Sequence, residues 1–223
     1  MKIKEMFNRD RITSAFKRLG AIRFKASRST IIQVSLLSVI LLIAFIVRLL
    51  PIRWGFYLSE FDPYYQYRLT KYLVENGFHL PAYDYMRWYP WGDPIARNSL
   101  PGLPSTAATL YTILNALGVP MVINPIIDPL IDPLLSDPVY NLCVIFPVIM
   151  GTITCLVIYF LGRDLGGEEV GIFAALFLAL DSSYIGRTSL GFFDDETVGI
   201  FGILLFLFLF LRSIDKNRPL KTG

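Results

Sequence analysis

From Ile31 to Leu50 the chain reads IIQVSLLSVILLIAFIVRLL, twenty residues with a single charge, Arg48. A hydrocarbon core about 30 Å thick takes roughly 20 apolar helical residues to cross, because lipid offers the backbone no hydrogen-bond partner outside its own helix. The stretch predicts a transmembrane helix over 31–50, and every later segment must then lie on one side of a membrane or the other. The residues ahead of it, 1–30, carry nine Lys or Arg against Glu5 and Asp10. That region is too long for the charged end of a signal peptide, and no small-residue cleavage site follows the apolar stretch. It reads as a cytoplasmic arm before an uncleaved anchor, meeting anionic membrane lipids rather than nucleic acid.

Three more spans are predicted at 142–162, 170–184 and 197–211, the first in spite of Pro147 and the second interrupted by Asp181. Pro147 is tolerable where neighbouring helices re-satisfy the freed carbonyl. An apolar content of 54% and a mean hydropathy of +0.51 set aside a soluble domain. The fold class is therefore an all-α polytopic membrane protein with four transmembrane helices. Alternate crossings put a long loop, 51–141, and a short one, 185–196, on the external face. They leave 163–169 and the tail 213–223 in the cytoplasm, with 31–212 as the membrane domain. Charge supports this scheme: Arg212, Lys216, Arg218 and Lys221 join the basic arm on the inside, while the long loop holds five basic and eight acidic residues.

Within the long loop, Asp62 before Pro63 has the pattern of a helix N-cap followed by proline at the first helical position, and Gly77 suits the far end. RWYPWGDP, residues 87–94, is rich in the aromatic residues that favour a membrane interface. Residues 106–117 are apolar but short for a span, so an external helix lying against the membrane is expected there.

Two acidic clusters, Glu60-Phe61-Asp62 and Asp194-Asp195-Glu196, fall on the same face in this topology. Each has an ordinary explanation, Asp62 as a cap and the second cluster as acids at the positive end of a helix dipole. The Asp-Pro pair also recurs at Asp93, Asp128, Asp132 and Asp137, so it does not single out Asp62. Crowded carboxylates near an apolar boundary repel one another unless a cation neutralises them. With hard oxygen donors and one histidine, His79, the cation favoured is Mg2+ or Mn2+ rather than Zn2+. Cys143 and Cys155 lie inside the second span and read as packing residues. Arg187 could pair with an acid or a phosphate, or sit at the headgroups as a rim charge.

EFDPYYQYR (60–68), RWYPWGDP followed by LPGLPSTAATL, and GRTSLGFFDDE (186–196) together resemble the N-terminal part of the catalytic subunit of oligosaccharyltransferase, with the archaeal form nearest. The resemblance covers residues 30–212 and implies a GT-C type glycosyltransferase with a large first external loop. It implies Asp62 as metal ligand and contact to the acceptor amide, Asp194 and Glu196 as further metal ligands, and Arg187 in the catalytic pocket. Glu60 occupies a variable position and is a weak candidate, and Asp195 would point elsewhere. The implied reaction moves a glycan from a lipid-linked donor, a dolichyl phosphate or diphosphate, to asparagine in an Asn-x-Ser/Thr acceptor. The expected setting is a cell membrane, or the endoplasmic reticulum in a eukaryote, with the site on the external face.

Members of that family continue for several hundred residues, with a Trp-Trp-Asp acceptor-reading motif, a further ligand and a soluble domain. The sequence through Gly223 is thus expected to be one part of a subunit, inactive without its C-terminal half. Two rival readings are a different polyprenyl-phosphate-dependent glycosyltransferase and a membrane transporter using Asp181 or Asp194 on an ion path.

Overall fold

A computed structural model describes residues 28–121 and 136–214. The basic arm up to residue 27, the Asp-Pro pairs at Asp128 and Asp132, and the tail from residue 215 lie outside the described residues. Helices account for the regular structure: α1 (Arg28–Leu49), a 3-10 turn (Leu50–Trp54), α2 (Phe61–Glu75), α3 (Ile95–Asn98), α4 (Gly102–Ala116), α5 (Pro138–Gly166), α6 (Glu168–Leu180), α7 (Ser182–Thr188) and α8 (Glu196–Ile214). No strand occurs among the described residues, where β pairing is limited to an isolated bridge between Asp84 and Asp93.

The chain divides into two compact units, residues 1–35 and 36–223. The described part of the first is the opening of α1, where Gln33 donates to Ser29 one turn earlier. All that follows concerns the second unit.

α5 is its centre. Asp137 is the N-cap, its carboxylate accepting the N–H groups of Val139 at 2.9 Å and Tyr140 at 3.4 Å, and Pro138 takes the first helical position, where a missing N–H costs nothing. This cap starts the helix four residues before the predicted span at 142, and it runs to Gly166 rather than 162. Asp137 also accepts from Tyr67 at 2.7 Å and Lys71 at 2.6 Å, tying α2 to the head of α5. Burial alone would push the Asp137 carboxyl up, but the hydrogen bonds from Lys71, Tyr67 and Val139 outweigh it and hold it below the usual carboxylate range.

Small residues let α6 lie directly on α5. A Cβ on Gly171 would sit 2.6 Å from the Tyr159 carbonyl, and Gly162 faces the Gly171 backbone at a similarly close approach. Ala175 and Ala179 continue this seam, fully buried.

The predicted third span, 170–184, is broken at Asp181, where the sequence shows the interruption. α6 ends at Leu180, and α7 leaves at an angle of 64° after a one-residue break at Asp181. Asp181 causes the break: its backbone is extended and its carboxylate accepts the Tyr184 N–H at 2.7 Å, capping the new helix. α1 with its 3-10 turn, α5 and α8 are long and apolar enough to cross a membrane, and α6 with α7 makes a fourth crossing if the bent pair is one span. α4, in the region expected to hold an external helix, is an apolar helix of 15 residues and is not among these candidate spans.

Candidate functional site

The first acidic motif opens α2, and it does so without the expected cap. The helix begins at Phe61, so Asp62 is its second residue rather than its N-cap, and Pro63 follows at the third position. The residue ahead, Glu60, has φ 67° and ψ −179°, a backbone region open chiefly to glycine, and makes no side-chain capping bond. The same Asp-Pro dipeptide that caps α5 at Asp137 therefore does something else here. Asp62 is exposed, and its carboxylate has no hydrogen bond or ion pair with a described residue. It lines a cavity of about 460 Å³ with Tyr64, Tyr65, Arg68, Arg87 and Trp88.

The walls of that cavity are braced by paired charges. Arg68 is bound to Asp84, while Arg87 donates to Asp93 at 2.6 Å and stands 4.3 Å over the Tyr65 ring. Asp84 and Asp93 are joined through their backbones at 2.8 and 2.9 Å. Asp93 is thus buried and satisfied inside the aromatic loop, a structural acid.

The second motif is threaded through the interior. Between α7 and α8 the chain makes three main-chain bonds to other segments: Leu190 N–H to the Arg48 carbonyl at 2.9 Å, Gly191 N–H to the Val144 carbonyl at 2.9 Å, and the Gly191 carbonyl to Ser59 N–H at 3.0 Å. Gly191 has φ 85°, and a Cβ there would lie 2.2 Å from the Tyr57 carbonyl, so only glycine fits. Phe193 is fully buried and meets Phe146 of α5 edge-on at 5.4 Å, an anchor for the acids that follow it. Ser59 and Gly191 bring the two motifs to the same end of the helices, backbone against backbone.

Asp194, Glu196 and Arg187 are gathered there. Burial, then the charge of Glu196 and a hydrogen bond shared with it, raise the Asp194 carboxyl above its ordinary range, and the Asp195 N–H, which donates to it at 2.8 Å, and Arg187 only partly offset this. Asp195 is raised as well, by burial and by Asp194 and Glu196, with a smaller contribution from Asp62. Arg187, the penultimate residue of α7, lies 3.4 Å from Glu196 and 5.2 Å over the Phe192 ring, with half of its side chain exposed. Oε2 of Glu196 is buried and has no hydrogen-bond partner among the described residues.

Asp62 is in electrostatic range of Asp195 but is not drawn into contact with Asp194 and Glu196. Among the described residues no three His, Cys, Asp or Glu side chains form a ready-made ion shell. The donor set itself suits a hard divalent cation: all the donors are carboxylate oxygens, one buried oxygen is orphaned, and the crowding that raises Asp194 would be relieved by positive charge. His79 is exposed, and Cys143 and Cys155 are free and buried, outside this group. Asp181, one of the two acids that the transporter reading places on an ion path, caps α7.

One contributor was missed by the sequence reading. Gln66, 6% exposed in α2, lies within reach of Asp195, where its amide counters the upward push on that carboxyl. Its place one turn after Asp62, on the same face of α2, was the available signal.

Residues 31–221 match the family described as oligosaccharyl transferase STT3, N-terminal. The chain is similar to the dolichyl-diphosphooligosaccharide–protein glycosyltransferase subunit STT3B of Oryza sativa subsp. japonica, 33% identical over 201 residues, which cover 88% of this chain and 26% of that protein. It is likewise similar to the subunit STT3 of Dictyostelium discoideum, 30% identical over 194 residues, covering 86% of this chain and 25% of the relative. The chain thus spans about a quarter of the length of the relatives it matches. Among solved structures, the apo oligosaccharyltransferase of Archaeoglobus fulgidus superposes with a TM-score of 0.64 at 22% identity, over 85% of this chain and 21% of that one. The AglB structure from the same organism, in complex with an inhibitory peptide and a dolichol-phosphate, superposes with a TM-score of 0.63 at 22% identity, over 82% of this chain and 20% of its own. These likenesses establish a shared helical fold. The chain belongs to the STT3 family of oligosaccharyl transferases, matching its N-terminal region.

Proposed function

We propose that the chain forms the N-terminal part of the catalytic subunit of an oligosaccharyltransferase of archaeal type, a glycosyltransferase of protein N-glycosylation. Its donor is a glycan on a dolichyl phosphate or diphosphate, and its acceptor is the side-chain amide of asparagine in an Asn-x-Ser/Thr polypeptide. The observation that carries this reading is the main-chain tie between Ser59 and Gly191, which sets the two acidic motifs side by side in a chain whose residues 31–221 match the family. Both substrate classes are supported by the Archaeoglobus structure in complex with a peptide and dolichol-phosphate.

Each residue has a chemical task in this reading. Asp62, open to the cavity and without a described partner, accepts an N–H of the acceptor amide; that bond exposes the nitrogen lone pair, and reach is its first requirement. Arg187, whose ion pair with Glu196 is half-exposed and hence weak, can turn its planar fork toward the phosphate oxygens of the donor. Asp62, Asp194 and Glu196 would hold Mg2+ or Mn2+, and the bound ion supplies a Lewis acid opposite the negative charge left on the departing lipid phosphate. Closing that shell requires Asp62 to move toward the second motif. The site lies on the external face of a multi-pass membrane subunit, the lumenal face if the membrane is that of the endoplasmic reticulum.

The reading is tested by replacing the corresponding region of an archaeal oligosaccharyltransferase with residues 31–221 and assaying transfer from a lipid-linked donor to an Asn-x-Thr peptide. Transfer by the chimera that is lost in Asp62→Asn and in Asp194→Asn supports it. Transfer that persists in both variants refutes the assigned roles.

A further inference from the structure

Arg48, the one charge in the apolar run 31–50 of α1 and its turn, is fully buried, and among the described residues no ion pair forms to it. Arg48 instead donates to oxygens that bear no full charge: Nε to Thr188 Oγ1 at 2.8 Å, Nη1 to the carbonyls of Ala44 at 3.1 Å and Ala179 at 3.2 Å, and Nη2 to the Leu178 carbonyl at 3.3 Å. Its guanidinium stands 5.1 Å over the Tyr184 ring. A charged residue at a buried position in an apolar span is costly and marks a functional position by default.

The choice of partners shows what Arg48 does. Leu178 and Ala179 belong to the last turn of α6, whose carbonyls lose their helical donors where Asp181 breaks the chain. Arg48 supplies those donors at the negative end of the helix. Its contact with Thr188 fixes the last residue of α7, next to Arg187, and its own carbonyl holds Leu190 N–H. One residue therefore grips both ends of the segment 178–190, which presents Arg187 and leads into Asp194 and Glu196. α5 makes room for it: a Cβ on Gly151 would lie 2.6 Å from Arg48 Nε and 2.9 Å from Thr188 Cβ.

We propose that Arg48 is a positioning residue for the second motif, its side chain setting the placement of Arg187, Asp194 and Glu196 through Thr188 and the Leu178 and Ala179 carbonyls without touching substrate. The inference rests on the roles proposed above for those three residues. Guanidinium geometry is essential to it, because an ammonium is a point donor that cannot span Thr188 and two carbonyls at once.

The full chain in lipid nanodiscs is titrated with Mn2+ and followed by electron paramagnetic resonance, comparing wild type with Arg48→Met, Arg48→Lys, Gly151→Ala and Thr188→Ser. Amide hydrogen exchange is read on the same samples at Leu190 and Gly191, against a reference stretch at 152–159 of α5. The expected result is at least tenfold weaker Mn2+ binding in Arg48→Met, Arg48→Lys and Gly151→Ala with helicity and reference exchange unchanged, and wild-type binding in Thr188→Ser. Wild-type affinity in folded Arg48→Met or Arg48→Lys overturns the proposal. Should both fail to fold, Gly151→Ala, which leaves the charge in place, decides it by the same criterion. If wild type binds no Mn2+, the metal reading of the site fails on its own. Positioning is then decided by exchange: tenfold faster at Leu190 and Gly191 in the Arg48 variants supports it, and unchanged exchange overturns it.

Discussion

Asp62 stands exposed in the first turn of α2 with no described partner, whereas Asp194 is half-buried beside Glu196, its carboxyl raised by burial and by a neighbouring charge. The two motifs occupy the same end of the molecule and are tied through the backbone, yet they are held differently. The second motif is organised in advance, with Phe193 buried against α5, Arg187 alongside, and the cost of crowding carried by the fold. The first is an acid kept ready, able to move toward an ion or an acceptor. Under the proposed function, a site divided in this way would put affinity for a cation in one half and adaptability in the other.

The sharpest way to break that contrast is to neutralise each acid in turn. In the transferase chimera, Asp62→Asn is expected to lower kcat by about 10²–10⁴-fold, the range for a positioned proton acceptor, while leaving thermal stability nearly unchanged. An Asp62→Asn variant with wild-type turnover would remove the first motif from the chemistry.

Next in size is the interplay of cation and pH. A carboxyl raised in the folded state, as at Asp194 and Asp195, favours folding below the unfolded pKa and loses that contribution as pH rises through the folded value. Without a divalent ion the fold should therefore weaken from about pH 4 toward neutrality, and Asp194→Asn should reduce that loss more than Asp62→Asn does. Added Mn2+ at a hundredfold excess over its Kd should restore about 2.7 kcal/mol at neutral pH and much less at pH 4. Thermal denaturation with and without Mn2+ at both pH values reads this directly, and a cation effect independent of pH would contradict it.

Asp195→Asn probes the link between the halves. It removes one partly buried like charge yet keeps an amide that can face Gln66, so a gain in cation-free stability is expected, seen as a raised Tm. The smallest effect falls on Glu60. Glycine at this position relieves the φ 67° backbone, for an expected gain of about 1 kcal/mol less the entropy that glycine adds to the unfolded chain. A clear loss of stability in Glu60→Gly would mean that the Glu60 side chain is itself engaged.

The candidate spans were legible because a run such as 31–50 has few alternatives, and the family because three motifs carried a resemblance. Asp137-Pro138 and Asp62-Pro63 mark where local pattern runs out. Both dipeptides have the form of a cap, but only Asp137 is one, since Tyr67 and Lys71 converge on it from α2 while the chain entering at Glu60 turns through a different backbone region. The break at Asp181 was visible as a charge in an apolar stretch, but whether the helix continued past it depended on a single capping bond to Tyr184. Gln66 and Arg48 were legible only as residue types. Their partners lie 129 and 140 positions away, respectively at Asp195 and Thr188, and no local periodicity encodes such pairs.

The contact between Ser59 and Gly191 is made entirely of main-chain atoms, in a space too narrow for any side chain at residue 191. The spacing between the two halves of the site is therefore independent of which acids occupy them. Under the proposed function, the acids could be exchanged one at a time, altering ion preference or rate, while the distance between the motifs stays the same. An insertion or deletion between Gly55 and Asp62, or between Thr188 and Asp194, would shift that register whatever the side chains are. For such a protein, composition is open to revision and length is not.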